Sequence, residues 1–278
     1  YLRGQNRASG MPSTANGEGT HYTADVRGSK YSPLSQITAA NFNKLEVAWR
    51  MPSAMLGSRP EYTWEATPLV IKGRLYSTAG SRRAVVALDA KSGELKWVYS
   101  MNEGLRAAIA PRQLSGRGVS YWTDGNGDDR IVYVTTGYRL VELNAHTGQP
   151  VEGFGEHGVV DLKIGAYTGV IGQPGVYKQI DLTTGEIGLH STPTIVDNTI
   201  YVGSSFKEGS QPLEQNNTKG ITRAFDVKTG KLNWVYDMKA HMWGSTFVAD
   251  GKVFAKDAQS TVSSFNADTG QLLWRVTL

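Results

Sequence analysis

No cysteine occurs in the 278 residues, which excludes disulfides, thiolate metal sites and a covalently attached c-type haem. No apolar run approaches the roughly 18–20 residues that a membrane-spanning helix needs. Nor is there a block of one charge: Lys and Arg are scattered and the net charge is only +4, so nucleic acid is not an expected partner. The five His residues (21, 146, 157, 190 and 241) show no ligand spacing. No Ser-His-Asp order, phosphate-binding Gly loop or paired-carboxylate pattern stands out, which leaves hydrolase and nucleotide-dependent chemistry without support. The chain opens at Tyr1 with no Met and no apolar leader, so any signal peptide is expected to have been removed or to lie outside this stretch.

What the chain does have is one phrase repeated. It reads ALDAKSGELKW at 87–97, ELNAHTGQPVEGF at 142–154, AFDVKTGKLNW at 224–234 and SFNADTGQLLW at 264–274. Each copy is an alternating strand ending in Asp or Asn, a Ser-Gly or Thr-Gly turn, and a second strand; Trp97, Trp234 and Trp274 stand four residues past the Gly. Asp or Asn bonds the backbone ahead and starts the turn, and Gly supplies the left-handed residue at its end. Such a hairpin cannot bury its apolar face alone, but stacked radially against similar hairpins it can, the logic of a β-propeller. The 32 Gly residues suit so many tight turns.

In chain order, residues 1–30 are polar, without periodicity, and are expected to be irregular. A short helix is predicted near Thr38–Asn43 with Thr38 as N-cap, then a strand ending at Trp49. From Glu65 four blades follow. The first runs ATPLVI, RLYSTA, AVVALDA, ELKWVYS. The second runs GVSYW, RIVYVTT, RLVELNA and a degenerate outer strand around Pro150–Phe154, then an irregular stretch. The third runs STPTIV, TIYVGSSF, ITRAFDV, LNWVYD, with the polar insertion KEGSQPLEQNNTKG. The fourth runs GSTFVAD, KVFAKDA, TVSSFNA, LLWRVT. The expected organisation is one propeller domain over 1–278, with 1–64 a lead-in and orphan outer strand and 65–278 the blades. The strand at Trp49 has no inner strands of its own. A longer propeller, a four-blade ring with an extra strand, and closure by a second copy all stay open.

Asp89, Asn144, Asp226 and Asn266 are read as turn residues, and Trp49, Trp97, Trp234 and Trp274 as inter-blade packing. DGNGDD at 124–129 spaces Asp124, Asn126 and Asp128 like the start of a calcium loop, but it lacks the closing Glu and reads as a hairpin loop. His190 opens an innermost strand and is worth watching. Arg117, a lone Arg between two Gly where an inner strand starts, has few structural reasons to be there.

The repeat, together with WEATPLV at 64–70, GRGVSYW at 116–122, FGEHGVVDL at 154–162 and TRAFDVKTGKLNW at 222–234, resembles the pyrroloquinoline quinone (PQQ)-dependent dehydrogenases over residues 20–237. The resemblance implies an all-β fold, a β-propeller of four-stranded antiparallel blades, with about four blades here against the family's eight. It also implies a periplasmic oxidoreductase that passes a hydride from an alcohol or sugar hydroxyl to PQQ, with Ca2+ as Lewis acid. A separate electron acceptor, quinone or cytochrome, would take the electrons.

Residue by residue, Glu65 falls at an acidic position near the cofactor. Arg117 falls at an Arg that pairs with the cofactor's carboxylate, a planar match for a guanidinium fork; Gly116 and Gly118 would let backbone approach the ring. Thr135 or Thr136 falls at a cofactor hydroxyl, Ser205 at a cofactor-binding Ser, and Glu208 at a Ca2+ carboxylate. Trp243 matches either an aromatic floor under PQQ or a core Trp. The family's adjacent-Cys disulfide, Asn metal-ligand motif and Asp base are not found, so no catalytic residue is assigned. The other reading open to the sequence is a non-catalytic PQQ-like repeat propeller acting as a scaffold or assembly factor.

Overall fold

The computed structural model describes residues 13–25, 29–53, 56, 57, 59, 61, 63–111, 113–168, 178–185, 187–189, 191–206, 220–238, 240, 242, 246–257 and 259–278. His190, Glu208, Trp243 and the insertion at 207–219 lie outside them, as does the side chain of Ser205.

Four antiparallel sheets, each of four strands in sequential order, make up the body. The first holds β1 (Leu69–Ile71), β2 (Arg74–Ala79), β3 (Ala84–Asp89) and β4 (Leu95–Tyr99). One turn of helix, α1 (Leu105–Ala108), leads to the second: β5 (Ser120–Thr123), β6 (Asp129–Val134), β7 (Arg139–Asn144) and β8 (Val159–Asp161). A two-stranded pair, β9 (Tyr167–Thr168) with β10 (Lys178–Gln179), and β11 (Ile187–Gly188) intervene. The third sheet holds β12 (Thr194–Val196), β13 (Thr199–Val202), β15 (Ile221–Asp226) and β16 (Leu232–Asp237), while β14 (Ser205–Phe206) pairs with β11. The fourth holds β17 (Phe247–Ala249), β18 (Lys252–Lys256), β19 (Thr261–Asn266) and β20 (Leu272–Thr277).

The repeated phrase builds each third hairpin by the expected chemistry. Asp89, Asn144, Asp226 and Asn266 each accept, through Oδ1, the backbone N–H groups two and three residues on, at 2.8–3.1 Å. DGNGDD is likewise a hairpin loop, with Asp124 Oδ1 accepting from the Asn126 and Asp128 N–H groups.

The apolar core lies between sheets. One cluster joins the first and second, another the second and third, a third the third and fourth. The Trp of the repeat fastens these joints. Trp49, Trp97 and Trp234 each donate their indole N–H to the carbonyl of the repeat's Ala on the following sheet (Ala90, Ala145, Ala267) at 3.2, 3.0 and 2.8 Å. Each ring also lies against that copy's Gly: a methyl on Gly93, Gly148 or Gly270 would meet an indole carbon at 2.5–2.6 Å. These Gly residues have φ near +70°, so conformation and space both demand the missing side chain.

Three local expectations change. The helix near Thr38–Asn43 is a single 3-10 turn at Phe42–Lys44, because Asn41 caps backward onto the Thr38 N–H and no apolar face packs the segment. Residues 45–50 form no strand, although Trp49 docks. The outer strand of the second sheet is Val159–Asp161, not Pro150–Phe154, since a Pro has no N–H for a ladder and makes only one bridge, to Leu143.

Candidate active site

The innermost strands β5, β12 and β17 face one another across a cavity of about 280 Å3. Its wall comprises Arg117 and Val119–Tyr121 from the second sheet, Thr192–Val196 from the third and Thr246–Val248 from the fourth. The lead-in adds Thr20–Thr23 and Asp25 to the lining. Residues 13–25, expected to be irregular, therefore have a definite place against β1: Gly19 exchanges both backbone hydrogen bonds with Val70, at 2.9 and 3.0 Å.

Arg117 stands at this cavity with its side chain about half exposed, 48%, and its Nε lies 3.6 Å from Glu65 Oε2, itself 49% exposed. Its Nη groups make no hydrogen bond to a described residue. The neighbouring Gly118 has φ +113° and brings the second sheet's lead-in against the first, where a Cβ would lie 3.1 Å from the Thr67 carbonyl oxygen. Its described role is thus the approach of two chain segments, and Thr67 N–H donates to the Arg117 carbonyl.

Thr135 and Thr136 sit together on the β6–β7 turn, both buried, and neither lines the cavity. The Thr135 hydroxyl is committed, donating to Glu103 Oε1 at 2.8 Å within a cluster that also takes Gly137 N–H and the Arg139 guanidinium. The Thr136 hydroxyl is buried with no partner among the described residues. Beside them Arg83 is buried and donates to the carbonyls of Val134 and Leu189, tying the first sheet to the second and to the segment after β11; burial lowers its pKa to about 10. The backbone of Ser205 is placed by its strand, β14.

Sequence reasoning missed Thr192, Thr194, Thr246 and the lead-in. A signal was present: a Thr stands at or just before an innermost strand at Thr67, Thr192 and Thr246. The Thr194 hydroxyl donates to the Thr246 carbonyl at 2.8 Å and Ser120 donates to the Pro193 carbonyl, so these short side chains knit the inner strands around the cavity.

Radial four-stranded sheets around a lined central cavity define a β-propeller with its candidate site in the channel. Residues 20–247 match the family described as the PQQ glucose/ethanol/alcohol dehydrogenase β-propeller domain, and the chain belongs to that family. It is 33% identical over 232 residues to quinoprotein glucose dehydrogenase of Gluconobacter oxydans (strain 621H), and 31% identical over 229 residues to that of Escherichia coli (strain K12). Each alignment covers 78% of this chain and 26% of the relative, so the chain spans about a quarter of the length of these curated relatives. Among solved structures, the quinohemoprotein alcohol dehydrogenase from Comamonas testosteroni shares the fold, with a TM-score of 0.67 and 18% identity over 98% of this chain and 42% of that one.

Proposed function

We propose that the chain forms the cofactor-binding part of a PQQ-dependent oxidoreductase acting on an alcohol or sugar hydroxyl. The observation that carries this is Arg117, a half-exposed guanidinium at a channel cavity with its Nη edge uncommitted among the described residues. The donor set suits a planar polycarboxylate. One guanidinium fork meets a carboxylate in two parallel bonds, and Thr192, Thr194, Thr246 and Ser120 surround it with neutral hydroxyls. Asp25 is the carboxylate on the facing wall, on the side away from the blades.

When bound, PQQ supplies a quinone that accepts a hydride equivalent, with Ca2+ as Lewis acid. The chain's own residues hold and orient. Glu65 holds Arg117 at Nε and leaves the Nη pair to a ligand carboxylate. Neither Thr135 nor Thr136 lines the cavity, so a contact from either to a cofactor oxygen is carried from the family resemblance. Ser205 toward the cofactor, Glu208 toward Ca2+ and Trp243 as ring floor are carried from the family resemblance. So are a periplasmic setting, a separate quinone or cytochrome acceptor, and one propeller domain over 1–278.

The test is titration of the apo chain with PQQ and Ca2+, followed by dye reduction with ethanol, glycerol and glucose. Charged hydrogen bonds contribute roughly 1.5–3 kcal/mol, so Arg117→Ala should weaken PQQ binding about 10- to 100-fold. Wild type that binds no PQQ, or Arg117→Ala that binds as well, overturns the reading in favour of a scaffold propeller.

A further inference from the structure

We propose that Asn126 is a site of spontaneous deamidation that the fold leaves open, with water as the co-reactant. In an Asn-Gly pair the second residue has no side chain to shield its backbone nitrogen, which can then attack the Asn side chain. The pair occurs twice, at 16–17 and at 126–127, and the two copies have opposite surroundings. Asn126 and Gly127 stand exposed in the hairpin loop between β5 and β6. The Gly127 N–H makes no hydrogen bond to a described residue, and a methyl built on Gly127 would find no atom within 4 Å. Among the described residues the Asn126 side chain makes one hydrogen bond, its amide donating to the Asp124 carbonyl at 3.3 Å. Gly17 is shut off in two ways. Its N–H donates to the Thr14 carbonyl at 2.9 Å, closing a 3-10 turn, and a methyl there would meet Leu34 at 2.7 Å.

The chemistry runs through a cyclic imide. Gly127 N attacks Asn126 Cγ and gives up its proton to hydroxide or water. The Cγ–Nδ2 bond breaks, the nitrogen leaves as ammonia, and a succinimide remains. Water then opens that ring at either carbonyl, giving aspartate or isoaspartate, and nothing is oxidised or reduced. This is the reaction that makes asparagine a thermolabile residue. Either product puts a further carboxylate between Asp124 and Asp128, and the isoaspartyl form also lengthens the backbone path by a methylene. The loop is shaped by Asp124 Oδ1, which accepts the Asn126 and Asp128 N–H groups at 2.7 and 3.1 Å. Asp128 in turn holds the Arg130 guanidinium at 2.7 Å, and that guanidinium reaches the third sheet at the Val227 carbonyl. The modified loop therefore bears on the joint between the second and third sheets.

Asn16 is a control within the same molecule. The wild-type chain is held folded in mildly alkaline buffer and, in parallel, unfolded in guanidinium chloride. After digestion at acid pH, the peptides spanning 16 and 126 are separated by chromatography and weighed by mass spectrometry. Each site is then described by its folded rate divided by its unfolded rate. That ratio should be near unity at Asn126, with the product split into aspartyl and isoaspartyl peaks. It should be lower at Asn16 by at least about 3-fold, the protection that one hydrogen bond supports. An Asn126 that stays an amide in the folded chain while the unfolded chain converts overturns the assignment. Ratios that are equally depressed at the two sites would mean that attack goes through unfolded molecules, and they overturn it as well.

Discussion

Arg130 does the work of a tryptophan. The second copy of the repeat has Glu152, four residues past Gly148, where the others carry their docking Trp, so the joint between second and third sheets lacks the repeat's indole. The acceptor it would have used is the Val227 carbonyl, and Arg130 Nη1 takes it at 3.1 Å, with Lys228 O at 3.3 Å. The guanidinium lies 5.2 Å over the Trp122 ring, which donates its own N–H to Asp197 O. Asp128 holds the guanidinium from one side at 2.7 Å and Glu142 from the other at the same distance. Glu142 is fully buried, its Oε1 has no partner among the described residues, and burial pushes its pKa up to about 8 despite the opposing pull of Arg130. The folded chain thus keeps a proton that the unfolded chain releases near the ordinary value of 4.5. Stability from this group is full below that value and falls as pH rises toward about 8. Asp129 titrates outside this window: burial raises its pKa, but hydrogen bonds from Thr123, Tyr121 and Lys72 outweigh that and hold it down at about 2. Urea midpoints should therefore decline between pH ~5 and ~8.5 in the wild type, and Glu142→Gln should flatten that decline. A variant with the wild-type slope would show that Glu142 is ionised throughout.

At the scale of elements, the docked Trp is the unit that joins sheet to sheet. Trp234 is 7% exposed, whereas Trp274 on the last outer strand is 43% exposed. Trp234→Ala should cost about 3–5 kcal/mol, the usual figure for a large buried aromatic, while Trp274→Ala should cost less than about 1 kcal/mol; urea denaturation of the two variants checks the ordering. Much of this was legible in advance. Turn residues, hairpins and the three-residue spacing from Asp or Asn to Ser or Thr are local, and local chemistry repeats visibly. The bulges facing the Trp residues were not: in the first, third and fourth sheets the register slips one residue after Ala87, Ala224 and Ser264. The slip recurs opposite Trp274, which is 43% exposed, so it goes with the Trp of the outer strand whether or not the indole is seated on a neighbouring sheet. Arg130 was hidden because its acceptor lies 97 positions away. At the candidate site, Gly-Arg-Gly marked Arg117 by interrupting the repeat, while Glu65 came from the family resemblance; the structure sets the two 3.6 Å apart. The place of the lead-in was not legible, because the Gly19–Val70 backbone bonds leave no mark in side-chain pattern.

At the scale of the whole molecule, the described residues fill the first joint and leave the outer face of the last sheet uncovered by one another. On the last sheet, Phe247, Phe254 and Trp274 stack on one another, with Phe247 58% exposed. This face matches those that Trp97 and Trp234 use inside the chain, so it fits another copy of the repeat that offers an Ala carbonyl and a Gly turn, and a second chain is one source of it. Among the described residues, the seat for such head-to-tail closure between two chains would be on the first sheet, at Ala90 and Gly93. Trp49 occupies it: its N–H is on the Ala90 carbonyl, and its ring fills the space over Gly93. One carbonyl and one Gly cannot seat two indoles, since the approach is already at van der Waals limit. Two copies therefore cannot close a ring through Trp274 while Trp49 stays docked. Sedimentation velocity at low micromolar concentration should give the same distribution for wild type and Trp274→Ala. A dimer in the wild type that Trp274→Ala dissolves would mean that Trp49 yields its seat, and the first joint would then be exchangeable between copies.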